Sequence, residues 1–134
     1  MAHSFLIFRE KNLITKDSDI VLFFSILKYT DNKISFLRSE NLKKLINHWL
    51  SLDVYGPGTL NINFDEYIKN SEDRANIISL IDLSLTEVSH ISDENFAEFA
   101  NKVVESTEVI KFIKLDKYDF IEILNKIKEF LLEG

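Results

Sequence analysis

The chain has 134 residues, 46% hydrophobic and 28% charged, which suits one domain with a buried core and a solvated surface. Sixteen basic against 22 acidic residues leave a net charge of −6, which argues against a protein held to nucleic acid through phosphate contacts. The absence of cysteine excludes disulfides and thiolate metal sites, and no apolar run nears the ~18 residues of a membrane span.

At the N-terminus the apolar run Phe5–Phe8 is short and has no basic lead, so a secretion signal is not expected and a cytoplasmic location is. Ile20–Leu27, preceded by Asp17-Ser18-Asp19, fits a buried helix with an N-cap. Its β-branched and aromatic content also fits a strand, and the reading favours helix. Ser39 caps a helix through Leu52, with Leu42, Leu45, Ile46, Trp49 and Leu50 on one stripe; that stripe makes Trp49 a core residue. Apart from the terminal Gly134, all the glycine and proline sits in Tyr55-Gly56-Pro57-Gly58, which marks one sharp reversal and favours long helices elsewhere. Tyr55 is expected to be exposed beside that turn.

Thr59–Phe64 alternates apolar and polar and predicts a short strand or extended segment. Asn70 or Ser71 opens a second helix, with Glu72 and Asp73 in its first turn, where the helix dipole favours acids. Its Ile77, Ile78, Leu80, Ile81, Leu83, Leu85 and Val88 cover much of the circumference, which predicts the central, most buried helix. Ser92 caps a third helix with Asp93 and Glu94 just inside and Phe96, Phe99, Ala100, Val103 and Val104 as its stripe. Val109–Leu115 is open between strand and helix. Asp116 starts a fourth, turning Phe120, Ile121, Leu124, Ile127 and Leu131 inward. The expected architecture is mainly α: one domain over residues 1–134, a helical bundle-like fold with at most a short β element.

The charge is unevenly placed. Residues 1–48 hold eight basic and five acidic groups, residues 49–110 three and twelve, and residues 111–134 five of each. On the third helix Glu94, Glu98 and Glu105 lie opposite the apolar stripe, Glu87 and Glu108 flank it, and Glu72 and Asp73 join them if the second and third helices are antiparallel neighbours. Such a face would concentrate a basic partner and speed its association. The alternative is that an acidic protein must place its acids outside and that helix N-termini prefer them.

Motifs for chemistry are missing. His3, His48 and His90 form no two-His metal motif, and Glu87-Val88-Ser89-His90 is a single Glu-x-x-His where a di-iron bundle needs two plus further glutamates. No Gly-x-Ser-x-Gly elbow exists, and Gly56-Pro57-Gly58 lacks the Lys-Ser/Thr of a phosphate loop. Asp65-Glu66 are adjacent and do not face one another across a cleft. No cofactor, metal or enzymatic activity is expected.

Heavy use of Ile, Lys, Asn and Phe, against eleven Ala, Gly, Pro and Arg together, points to an AT-rich gene of the kind carried on acquired bacterial islands. In size, acidity, lack of cysteine and helical texture the chain resembles the immunity proteins of bacterial polymorphic toxins, of the contact-dependent growth inhibition type. That resemblance implies a cytoplasmic protein that binds one cognate toxin domain, commonly a basic nuclease, and covers its active site or substrate groove. No direct nucleic-acid or membrane contact is implied. The residues expected at such an interface are Tyr55 and Tyr67 as aromatic anchors within a rim of Glu72, Asp73, Glu87, Asp93, Glu94, Glu98 and Glu105. The competing expectation is a small acidic regulatory or adaptor protein, monomeric or homodimeric, acting on a host protein.

Overall fold

The computed structural model describes residues 3–50, 61–104 and 116–133. In chain order the elements are β1 (His3–Phe8), β2 (Lys11–Lys16), α1 (Asp17–Ile34), α2 (Glu40–Trp49), β3 (Asn61–Asn63), a 3-10 turn Phe64–Glu66, α3 (Ser71–Ser89), α4 (Phe96–Val104) and α5 (Lys117–Glu133). The fold is mainly α with a short β element, as the sequence predicts. The Gly56-Pro57-Gly58 turn and the Val109–Leu115 segment lie outside the described residues, as does the predicted end of α2 at Leu52.

Two strands of the β element, β1 and β2, lie where the sequence reading assigned no element. β1 pairs antiparallel with β2, from His3 opposite Lys16 to Phe8 opposite Lys11, and parallel with β3, giving the order β2-β1-β3. Period-two alternation sends Ser4, Leu6 and Phe8 into the core. The hairpin is hidden in the sequence because its two-residue turn uses Arg9 and Glu10, both left-handed (φ 48° and 68°), where glycine or asparagine is usual. The Arg9 amide donates to Asp65 Oδ2 at 3.0 Å, which ties the turn to the 3-10 segment. Glu10 is exposed and carries the larger φ. Glu10→Gly should therefore raise the urea midpoint by an amount worth about 0.5–1 kcal/mol, through relief of the side-chain clash in this backbone region.

Ile20–Leu27 is helical, and all eight of its residues are buried. A helix that is apolar on every side belongs at the centre. It is α1, and not the predicted α3, that occupies that place, packed by β2 and by each of the other four helices. On α3 only Ile77, Leu80, Ile81 and Val88 of the expected set are fully buried, while Ile78, Leu83 and Leu85 sit half-buried at its edges. Asp17 Oδ1 accepts the Ser4 hydroxyl at 2.6 Å, fixing the start of α1 against β1. Ser35 ends it in the left-handed region, its amide donating to Asp31 O.

Capping sets the remaining boundaries. Ser39 caps α2, its Oγ accepting from the Leu42 amide, and Asn70 caps α3 through the Asp73 amide. Trp49 is buried, as its stripe predicts. The third predicted helix starts four residues later than Ser92. Ser92 O accepts from the Asn95 amide in a preceding turn, and Asn95 O takes the first helical bond, from Phe99. Asp93 and Glu94 thus sit in a turn in front of α4 and not in its first coil. The Phe96 ring, 5.9 Å from that of Phe120, sets where α4 begins against α5.

α3 and α5 form an antiparallel pair joined at both ends. Arg74, in the first turn of α3, donates Nε to Leu131 O at 2.9 Å and a second guanidinium nitrogen to Leu132 O, at the C-terminus of α5. Lys117, the first residue of α5, donates Nζ to Ile91 O at 2.8 Å, just past the C-terminus of α3. Each cation meets carbonyls at the negative end of the neighbouring helix. Between them Lys128 and Asp82 pair at 2.6 Å.

Candidate partner-binding face

Lys117 is only 8% exposed, unusual for a lysine, and what it touches explains why. Besides Ile91 O, its ammonium lies 3.4 Å from Asp93 Oδ1. It therefore pins the α3–α4 turn to the first coil of α5. The Phe96–Phe120 contact does the same from the apolar side, placing the starts of α4 and α5 next to one another.

This arrangement gathers one end of the molecule. From the turn come Asp93 and Glu94, from α4 the exposed Glu98, and from α5 the exposed Asp116, Tyr118, Asp119 and Glu122. Asp116 Oδ1 accepts from the Tyr118 amide at 2.8 Å, so this acid also caps α5. Tyr118 is 59% exposed, and the Lys117 ammonium lies 5.4 Å from its ring centroid, close enough to steady the ring. Glu94, Glu98 and Asp119 form no ion pair among the described residues and are open to an incoming cation. Lys117→Met would leave the Ile91 carbonyl without its donor and free Asp93. It should cost about 1–3 kcal/mol in a denaturant titration.

The predicted interface residues separate into two groups. Asp93, Glu94 and Glu98 share the end just described. Glu72 and Tyr67 lie at the opposite end of α3, a helix of 19 residues and so about 27 Å long. α3 and α4 are not paired as antiparallel neighbours, so the two acidic groups do not merge into one face; α3 instead packs on α5 and α1, and α4 on α1. Tyr67 is half-buried against the core, and burial with Glu66 nearby raises its phenol above the ordinary value of 10.0. Glu87 is half-buried and paired with Lys33 at 2.9 Å. Tyr55 and Glu105 lie outside the described residues.

Asp73 has a different position from the one its sequence suggests. It is 7% exposed, at the joint between the N-termini of α2 and α3. Burial by itself would raise its carboxyl, but hydrogen bonds from the Ser39 hydroxyl, the Lys69 amide (3.0 Å) and the Asn41 side chain outweigh this and hold it below the ordinary 3.8. A groove of about 460 Å³ beside it is lined by Arg38, Glu72 and Asn76 among others.

Tyr118, Asp119 and Glu122 were missed by sequence reasoning, although an aromatic between Asp116 and Asp119 at the start of the fourth predicted helix carried the signal. Chemically, separate solvated carboxylates on the same end of the molecule as an exposed ring suit recognition of a basic surface. Acid–base catalysis calls for a carboxylate perturbed within a cleft. Among the described residues no group of three or more His, Cys, Asp or Glu is placed to hold a metal ion, and no helix is long and apolar enough to cross a membrane. No protein-family model matches the chain, and neither the curated proteins nor the solved structures compared with it give a match.

Proposed function

We propose that this chain is a binding protein that neutralises a basic toxin domain, of the nuclease kind implied by its resemblance to toxin immunity proteins. The observation that supports the reading is the exposed Tyr118 at the start of α5, which Lys117 and the Phe96–Phe120 contact hold beside the turn and helix start that carry the exposed Asp93, Glu94 and Glu98. A nuclease groove is lined with Lys and Arg that hold phosphates, and carboxylates can take the phosphates' places there. The aromatic ring supplies apolar anchoring area at small entropic cost, while the acids steer the approach. Covering the groove blocks substrate without any chemistry by the inhibitor.

The test is a pull-down of the tagged chain from its native host at low and moderate salt, with Tyr118→Ala run in parallel. A basic toxin fragment, recovered by the wild-type chain, released as salt rises and lost with the variant, is the expected result. Recovery of an ordinary host protein, or of further copies of the chain alone, by wild type and variant alike would overturn the reading in favour of an adaptor.

A further inference from the structure

Within the buried run Ile20–Leu27 of α1 the one polar residue is Ser25, 3% exposed, and its hydroxyl has no hydrogen-bond partner among the described residues. An unpaired hydroxyl at such a site is costly, and helix interiors rarely keep one. Ser25 lies at the floor of a cleft of about 480 Å³ where α1, α2 and α4 meet. Helical spacing puts Lys28, Tyr29 and Asn32 on the same side of α1 as Ser25, three, four and seven residues on. α2 adds Asn47 and α4 adds Lys102 from the facing walls.

The walls are ordered. Lys28 Nζ donates to Asn47 Oδ1 at 3.1 Å, and the Tyr29 ring stands edge-on to Phe99 at 5.2 Å. None of the described lining residues is acidic, and Lys102 has no ion pair among the described residues. In a chain of net charge −6, two cations face one concavity with no carboxylate among its described lining residues. The remaining polar groups are hydroxyls and amides, so the cleft is rich in donors, and its volume is that of a small-molecule site.

We infer that this cleft binds a small anionic ligand, its phosphate or carboxylate head held between Lys28 and Lys102 above Ser25 and its body lying over Tyr29. The Ser25 hydroxyl, closed to solvent and without a partner among the described residues, would donate to that head as the side chains above it adjust. The inference is independent of the acidic end of the molecule, which is built by other residues.

The test is a two-dimensional amide NMR titration of the whole chain with inorganic phosphate, and a parallel one with acetate at matched ionic strength. Saturable shifts confined to the neighbourhood of Ser25, Tyr29, Asn47 and Lys102 are expected, and the anion that saturates first identifies the head group. Lys28→Gln/Lys102→Gln should weaken that binding about tenfold or more. Ser25→Ala should weaken it as well while leaving the fold intact. Shifts that do not saturate, or that spread over all surface lysines, would overturn the proposal. So would a Ser25→Ala chain that is more stable yet binds phosphate and acetate as the wild type does, since Ser25 would then be a core hydroxyl without a ligand.

Discussion

Replacing Asp73 by alanine should lower the free energy of unfolding by about 2–3 kcal/mol, read as a shift of the urea midpoint at unchanged slope. The carboxylate is a shared acceptor for Ser39, Asn41 and the Lys69 amide, which belong to two helix starts and the segment leading into one of them. Without it, three buried or half-buried donors lose their partner and the α2–α3 joint opens. The effect has a pH signature. The folded-state value lies below the ordinary 3.8, so this contribution is fully present above that value and is lost as the pH falls through the folded one. The gap between wild type and Asp73→Ala should be constant near neutrality and close on acidification below about pH 4. A gap that persisted unchanged into strong acid would mean that the carboxylate's charge plays no part and that only its volume matters.

The second large effect concerns the acidic end. Against its basic partner, Tyr118→Ala should weaken binding by about 2 kcal/mol or more, roughly thirtyfold, with most of the loss in the dissociation rate. The combined reversal Glu94→Lys, Glu98→Lys, Asp119→Lys should instead slow association and flatten its salt dependence, because these exposed carboxylates act at long range. None of the four caps a helix through its side chain, so the variants should keep their circular dichroism and their unfolding midpoint. Stopped-flow or surface-based kinetics at two salt concentrations separates the two roles. If reversal of three charges left the association rate and its salt slope unchanged, the acids of this end would be no more than a solvated surface.

The same logic distinguishes the two ends of α3. Glu72 and Asp73 read alike in the sequence, adjacent acids in the first turn of a helix, yet one is exposed and the other is an internal fastener. Burial of Asp73 follows from α2 lying across the start of α3. Glu87 and Asp93 likewise look like free surface acids until Lys33 and Lys117 are placed beside them. Both lysines are distant along the chain, so the pairings belong to the packing.

The amino-acid pattern alone carried most of the helices. The apolar stripes of α2, α4 and α5, the caps Ser39 and Asn70 and the burial of Trp49 all follow from local spacing, because a helix writes its contacts at three and four residues. For α1 it favoured a helix without excluding a strand, and it did not place that helix at the centre. The tertiary structure decided what depends on separations of tens of residues. The parallel pairing of β1 with β3 joins segments more than fifty residues apart, and the turn between β1 and β2 is held by Asp65 with no glycine to announce it. The acidic end exists because Lys117 reaches back to Ile91 and Asp93, bringing Tyr118 beside acids that the chain leaves over twenty residues behind. Short-range periodicity is set by backbone geometry and can be read from residue order; which faces meet is set by the burial of the whole core, a property of all the elements together.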